Sequence, residues 1–353
     1  MSNERTATLG VPADAEILRR KDEHLDLALG QQAQKRRSGF DDYQLEHCAL
    51  PEVDLDEIDL SVEWWGRRLP LPFVISSMTG GPVRGARINA HLAEAAETLG
   101  LVLAVGSQRV AIEGAGEAGL GRELRRLAPT APIWSNLGAA QLVAGYGVDE
   151  ARRAVDMIEA DALIIHLNPL QEAVQAGGDR RWKGVLGAME TLIRQLERPV
   201  VVKEVGYGLS AEVGRALAGV GVAALDVAGS GGTAWADIEG ARSASAVDRK
   251  VADAFQGWGL ETPAAVEKLR AALPDMPLIA SGGVRHGVDA AVALRLGADL
   301  IGQAGPVLRA ALESPEAVLR HFDILKRQLH IACFCTGSRD LLELRGANLS
   351  RRS

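Results

Sequence analysis

The sequence predicts an α/β fold: a (β/α)8 TIM barrel with an N-terminal extension and a long insertion after strand six. Three observations predict it. Short apolar runs recur eight times along 353 residues. Each run is continuous rather than alternating, as expected of parallel strands covered on both faces. Between most of them lie helical patterns with start and stop signals. Strand–helix alternation repeated eight times favours a closed barrel over an open doubly wound sheet.

The elements follow in order. Residues 1–71 form the extension, with a helix over Asp14–Leu29 and a hairpin-like extended stretch over 50–71. The barrel domain spans 72–345, and 346–353 is a C-terminal tail. The eight strands are PFVISSM (72–78), LVLAVG (101–106), PIWSNLG (132–138), DALIIHL (161–167), PVVVKEV (199–205), VAALDVAG (222–229), PLIASGG (277–283) and ADLIGQA (298–304). Helices fall at 86–99 before Gly100, at Asp149–Glu159, and after the capping Ser210. Thr262-Pro263 reads as an N-cap followed by proline at the first helical position, and Gly287–Leu296 stops at Gly297. Strand spacing is about 20–37 residues, except between strands six and seven, where roughly 50 residues (230–276) intervene as a long insertion on the catalytic side. A last helix covers about Glu316–Cys333.

Composition removes several function classes. With a net charge of −7 the chain lacks the basic surface that nonspecific nucleic-acid binding needs. The basic runs Arg19-Arg20-Lys21, Lys35-Arg36-Arg37 and Arg180-Arg181 are then local anion sites or solvated helix faces. No uninterrupted apolar stretch reaches the ~18 residues of a membrane span, and the first residues lack a secretory apolar core. Cys48, Cys333 and Cys335 form no CxxC pair and no disulfide framework, which fits a cytoplasmic protein.

Chemistry in such a barrel sits where the strands end, and here those ends are polar. They present Ser76, Ser77, Met78 and Thr79; Ser107, Gln108 and Arg109; Asn136; His166 and Asn168; Lys203 and Glu204; Ser230 to Thr233; Ser281-Gly282-Gly283; and Gln303-Ala304-Gly305. After strand four, LIIHLNPLQE releases His166, Asn168, Gln171 and Glu172 within seven residues, all able to bind or move protons. The seventh and eighth ends, IASGGVRHG and LIGQAGPVL, place glycines before helices, where backbone N–H groups cradle a phosphate. A monophosphate such as FMN or a sugar phosphate suits that cradle; tight turning alone is the alternative use of the glycines.

Lys203 is the lone cation of an apolar strand and needs an anionic partner. Either a bound flavin supplies it, or Glu204 or Asp226 forms a salt bridge. The segment VAGSGGTAWADIEGAR (227–242) lets main chain approach a flat or phosphorylated ligand, but its glycine order is not a Rossmann fingerprint. In RRKDEHLDLAL, Arg20, Lys21 and His24 share about one helix face, so a polyvalent anion or plain solvation accounts for them.

Taken together, these motifs resemble the type 2 isopentenyl-diphosphate isomerases, FMN-dependent barrels of the isoprenoid pathway. The resemblance covers about residues 17–345. It is carried by RRKDEHLDLAL, PFVISSMTGG, VGSQR, SNLGAAQL, HLNPLQE with GDRRWKG, VVVKEVGYGLS, DVAGSGGTAWADIEGAR, ASGGVR and GQAG. It implies that FMN is held by Ser76, Ser77, Met78, Thr79, Ser107, Asn136, Lys203, Ser230, Thr233, Gly283, Val284, Arg285, Ala304 and Gly305. It implies a diphosphate substrate met by Arg20, Lys21, Ser107, Gln108 and Arg109, with His24, His166 and Asn168 positioning it. Gln171 then faces the allylic carbons, Glu239 is its proton-relay partner, and Glu172 binds Mg²⁺. NADPH would reduce the flavin, and a homotetramer or homo-octamer is implied. Ser230 stands where the family often has alanine, and residues 1–14 match nothing in the pattern.

The chemistry agrees with the resemblance. Moving a double bond from C3–C4 to C2–C3 adds one proton to an unactivated alkene and removes another. No side chain is acidic enough near pH 7 to do this easily, and no cysteine falls at a strand end; a reduced flavin supplies the lack. Other FMN barrels are the rival enzymes. A 2-hydroxy-acid oxidase needs a His–Arg pair, for which Arg285-His286 is the one candidate, and a nucleotide dehydrogenase needs a loop cysteine, absent between Cys48 and Cys333. A flavin- or phosphate-binding regulator would keep the cradle without the polar set at strand four.

Overall fold

The computed structural model describes residues 23–30, 38–77, 83–114 and 119–352. Its centre is a closed barrel of eight parallel strands. They are β1 (Phe73–Ile75), β2 (Val102–Ala104), β3 (Ile133–Gly138), β4 (Ala162–Leu167), β5 (Val200–Glu204), β6 (Ala224–Asp226), β7 (Leu278–Ala280) and β8 (Leu300–Gln303). Each lies inside its predicted run, and β8 closes on β1 through Ile301↔Phe73. The strands are shorter than the runs because the last residues of each run bend away as loops.

Alternate residues divide two cores. Val74, Val102, Trp134, Ile164, Val201 and Ile279 pack inside the barrel, while Phe73, Ile75, Leu103, Ile133, Leu163 and Val202 meet the helices outside. The hairpin-like stretch is an antiparallel pair, Val62–Trp64 with Arg67–Leu69. Its Trp64 and Leu69 join the inner core, with Trp64 6.1 Å from Trp134. That plug stops the end at which the strands begin, so the opposite end is the open one.

The helices follow the sequence with small shifts, among them Val83–Leu99, Val148–Met157, Gly287–Arg295 and Pro315–Phe334. Ser210 caps Ala211–Gly219 as expected, its side chain accepting from the Val213 N–H. Thr262 does not cap: it is the first residue of Thr262–Ala272, with Glu261 at the N-cap. Its hydroxyl donates to the carbonyl of Ser281 at 2.9 Å, pinning this helix to the end of β7. The insertion after β6 folds into helices Trp235–Arg242 and Ala246–Asp253. Residues 23–30 are helical, and the earlier part of the expected Asp14–Leu29 helix lies outside the described residues. Within the expected C-terminal tail, 346–353, Leu349–Arg351 pairs antiparallel with Tyr43–Leu45. Extension and C-terminus therefore close on each other.

Candidate active site

A cavity of about 280 Å³ opens at the C-terminal ends of the strands, close to the size of an ordinary small-molecule site. β4 supplies its most polar wall. Pro169 stands at the start of helix Pro169–Val174, where its missing N–H costs nothing and its fixed φ suits the turn. That short helix turns Gln171 and Glu172 toward the cavity. Glu172 is buried; its Oε1 accepts from Asn168 Nδ2 at 2.9 Å and its Oε2 from the Asp179 N–H at 2.7 Å.

His166 is fixed by a chain of hydrogen bonds. Asn136 Nδ2 donates to Ser77 Oγ at 2.9 Å, so Asn136 Oδ1 is the acceptor for His166 Nδ1 at 2.7 Å. The proton is thereby assigned to Nδ1. Burial, with the Lys203 charge next in weight, pushes His166 down to about 4. It is therefore a neutral imidazole at pH 7.

Lys203 lines the cavity from β5. Its Nζ donates to the Glu204 carbonyl at 2.7 Å and stands 3.8 Å from Asp226 Oδ2. Glu204 turns the other way: its Oε2 accepts from the N–H groups of Val205, Gly206 and Gly208, at 2.6, 2.6 and 3.2 Å, and from that of Tyr207. Burial still pushes Glu204 up to about 7, against those donors and Lys203. The carboxylate thus folds the loop after β5 around itself. Tyr207 in that loop accepts the Ala236 N–H at its hydroxyl, 2.6 Å away, and so steadies the start of helix Trp235–Arg242.

The turns after β6, β7 and β8 bring bare backbone together. Gly282 has φ +88°, and a Cβ there would lie 2.1 Å from the Gly229 carbonyl oxygen. A Cβ on Gly232 would lie 2.8 Å from the Gly283 nitrogen. Only glycine permits this approach. Ala304 and Gly305 open helix Gly305–Glu313 beside these turns on the cavity wall, giving the helix N-terminus expected of an anion cradle. Arg285 reaches Asp289 and Asp41 with its guanidinium.

Glu239, from helix Trp235–Arg242, is almost fully buried against this wall. Gln171 Nε2 donates to its Oε1 at 3.0 Å, and His24 Nε2 lies 2.9 Å from the same oxygen. Arg242 Nη1 donates to its Oε2 at 2.7 Å. Burial alone would raise its pKa, but His24, Gln171 and Arg242 outweigh burial and hold Glu239 below the usual carboxylate range.

Of the residues expected at the site, Ser77, Ser107, Arg109, Asn136, His166, Asn168, Gln171, Glu172, Lys203, Thr233, Gly283, Val284, Arg285, Ala304, Gly305 and His24 all line the one cavity. Three side chains do not fit the expectation. Gln108 is fully buried away from the cavity, its amide donating to the Ala154 carbonyl at 2.9 Å and accepting from the Asn136 N–H at 3.0 Å. It braces the loop instead of meeting an anion. Ser76 faces a separate chamber of about 10 Å³ shared with Asn89. Ser230 stands in a bridge to Glu261, its N–H donating to the Leu260 carbonyl. Arg20, Lys21, Met78 and Thr79 lie outside the described residues.

The sequence reading missed Gln141, Glu113 and Gln175, which also line the cavity. It missed Asp179 as well, whose Oδ2 joins Arg109 at 2.9 Å to Gln141 at 3.1 Å. SNLGAAQL and GDRRWKG held the only signal for Gln141 and Asp179. Among the described residues no group of three or more His, Cys, Asp or Glu side chains could hold a metal by itself. No helix among them is long and apolar enough to cross a membrane.

Comparison with known proteins bears on the chain as a whole. The family model for FMN-dependent dehydrogenases matches residues 23–124 and 170–351. An isopentenyl-diphosphate delta-isomerase of Stutzerimonas stutzeri is 59% identical over 96% of this chain and 98% of its own. One from Xanthobacter autotrophicus is 59% identical over 94% of this chain and 97% of its own. Among solved structures, a lactate oxidase of Pediococcus acidilactici superposes with a TM-score of 0.67 at 16% identity, covering 100% of this chain and 98% of that one, which bears on the fold alone. The chain belongs to the isopentenyl-diphosphate delta-isomerase family, built on the barrel of the FMN-dependent dehydrogenases.

Proposed function

We propose that the protein interconverts isopentenyl diphosphate and dimethylallyl diphosphate by a 1,3-allylic proton shift, with FMN as its resident cofactor. One observation carries the reading. Gln171 faces the cavity while hydrogen-bonded at 3.0 Å to Glu239, a carboxylate held ionised beneath it. That is an amide aimed by an ionised carboxylate on the wall of a cavity able to take a small molecule. The names of the close relatives support the same activity.

The residues suit FMN. Two glycine turns and a helix N-terminus offer N–H groups at one end, and Asn136, Ser77 and Lys203 offer polar contacts along the wall. Ser107, Thr233, Gly283 to Arg285, Ala304 and Gly305 would complete the grip. When bound and reduced, FMN supplies a protonated ring nitrogen and an electron-rich ring able to stabilise developing positive charge. NADPH or another reductant would be needed for activation and not consumed in each turnover.

The chain's own residues do the rest. Lys203 holds a positive charge in the wall where a reduced, anionic ring would lie. Gln171 is fixed by Glu239 and passes proton demand to a carboxylate that water does not reach. His166, neutral at pH 7, shapes the pocket. Arg109 and His24, with Arg20 and Lys21, would meet the diphosphate. Each oxygen of Glu172 keeps a lone pair beyond its one hydrogen bond. One such carboxylate plus diphosphate oxygens and water makes an ordinary Mg²⁺ site. A cytoplasmic homotetramer or homo-octamer belongs to this reading, and light scattering tests the assembly.

The hydroxy-acid oxidase alternative finds no support in these side chains. His286 Nδ1 accepts the Asp289 N–H as a helix cap, and Arg285 is bound to Asp41 and Asp289. The deciding experiment incubates the protein with FMN, NADPH, Mg²⁺ and isopentenyl diphosphate in deuterated water. Dimethylallyl diphosphate carrying deuterium is expected, with no turnover on oxidised FMN. Turnover with oxidised FMN, or oxidation of a hydroxy acid, overturns the proposal.

A further inference from the structure

We propose that Arg242 is the positioning residue for Glu239, and that the same guanidinium ties the 23–30 helix to the reaction site. The inference rests on the isomerase reading of the Gln171–Glu239 pair and names the group that sets the geometry of that pair.

The two carboxylate oxygens of Glu239 have separate duties. Oε1 faces the cavity side, taking Gln171 Nε2 at 3.0 Å and His24 Nε2 at 2.9 Å. Oε2 takes Arg242 Nη1 at 2.7 Å. Arg242 follows Glu239 by three residues on one helix, a spacing that puts both on one face. The carboxylate plane is thus fixed by a permanent cation on the side that does not react. Without that anchor the side chain could rotate about its last bond, and Oε1 would lose its aim at Gln171.

The guanidinium has a second edge. Its Nε donates to Glu23 Oε2 at 3.0 Å, while Nη1 holds Glu239. A planar fork can hold two carboxylates in two fixed directions, which an ammonium cannot. Leu25 and Ala28 of the 23–30 helix are buried, and with His24 they line the cavity. The same arginine thus holds both the Glu239 carboxylate and the helix that builds this part of the cavity wall, beside the Asp26–Arg84 ion pair.

Among the described residues, His24 and Glu23 come from the 23–30 helix, Arg242 and Asp237 from the helix of Glu239 itself, and neutral Gln171 from Pro169–Val174. Helix Ala246–Asp253 packs on the far side with Ala252 against Gly240, and its Arg249 is turned to the Ser243 carbonyl. Arg242 is the only group among these that is cationic at every working pH.

The test uses the FMN-loaded full chain as wild type, Arg242→Gln, Arg242→Lys and Glu23→Gln. It reads kcat and KM for isopentenyl diphosphate, the acidic limb of the kcat–pH profile, FMN affinity, and hydrogen exchange over 23–30. Losing a charged hydrogen bond in Arg242→Gln should lower kcat about 10–100-fold. Its acidic limb should move to higher pH, because Glu239 loses a cation, and exchange over 23–30 should rise. FMN affinity should stay within about 3-fold, as expected when binding groups are untouched. Arg242→Lys should return the acidic limb toward wild type but leave the exchange raised. Glu23→Gln, which removes a half-exposed ion pair, should raise exchange and cost no more than about 3-fold in kcat. An Arg242→Gln enzyme with wild-type kcat, or one whose loss merely tracks lost FMN or a lowered melting temperature with the limb unmoved, overturns the proposal. Absence of isomerisation in the wild type would instead sink the isomerase reading, and unchanged exchange in Arg242→Gln would sink the tie to the 23–30 helix by itself.

Discussion

The backbone N–H of Asp179 lies 2.7 Å from Oε2 of Glu172, seven residues back along the chain. The loop after helix Pro169–Val174 folds back on its own beginning to make that bond. It then uses the Asp179 side chain to reach Arg109 at 2.9 Å and Gln141 at 3.1 Å. Glu172 is thereby linked to the ends of β2 and β3. Such contacts fix the orientation of the Glu172 carboxylate, as a ligand role would require.

The fold-back depends on Gly178, where a Cβ would lie 2.1 Å from the Glu172 carbonyl oxygen. Backbone cannot yield as a side-chain tip can, so Gly178→Ala should cost about 1–3 kcal/mol of stability. It should also raise the Mg²⁺ concentration for half-maximal activity, although no polar group has been removed. Gly177→Ala is the control. There φ is +70° and nothing lies within 4 Å, so only backbone strain of about 1–2 kcal/mol is added. Urea unfolding and Mg²⁺ titration of both variants check this; a Gly177→Ala protein with the greater metal defect would refute it.

His166 and Glu204 make opposite contributions to stability as pH changes. His166 is held down at about 4 from an ordinary 6.5, so the unfolded chain binds a proton that the folded chain refuses. Its contribution is complete above 6.5 and is lost as pH falls toward 4, at most about 3 kcal/mol because it faces a cavity open to water. Glu204 is raised to about 7 from 4.5, so its contribution is complete below 4.5 and is lost as pH rises through 7. His166→Asn should leave a protein that loses stability from pH 4.5 to 7, relative to wild type. Glu204→Gln should leave one that loses stability from pH 6.5 to 4. Urea unfolding across that range reads both slopes, and the same sign of change in both variants would rule the account out.

The barrel was legible because a strand covered on both faces must be apolar throughout, and eight such runs cannot be arranged as many other folds. The site was legible only as a set of strand ends. VGSQR gives no period from which to tell that Arg109 faces the cavity and Gln108 the core, since a loop lacks the regular turn of a helix or strand. Ser76 and Ser77 differ for the same reason, one in its own chamber and one on the cavity wall. Gln141 and Asp179 are 38 residues apart, one on the helical turn Ala139–Leu142 and the other on the loop after Pro169–Val174. Thr262 misled because a threonine before proline has the form of a cap, while its hydroxyl serves β7. The pairing of Leu349–Arg351 with Tyr43–Leu45 spans almost the whole chain, beyond any local signal.

Lys203 admitted two readings in the sequence, a cation for a cofactor or a salt bridge. The residue lines the cavity, and its Nζ stands 3.8 Å from the buried Asp226, whose Oδ1 accepts from Ser281 Oγ at 2.6 Å. Burial raises Asp226, and Lys203 with Ser281 opposes it. A double-mutant cycle separates the two roles. Lys203→Met strands a buried carboxylate and should cost about 3–5 kcal/mol in urea unfolding. Asp226→Asn keeps an oxygen for Ser281 and removes the charge, so Lys203→Met/Asp226→Asn should regain more than about half of that loss. FMN affinity should not follow. If Lys203 faces the cofactor, binding is weakened in the single and double variants alike, by about 10-fold or more for a charged contact. Recovery of both stability and FMN affinity in the double variant would reduce Lys203 to a structural ion pair.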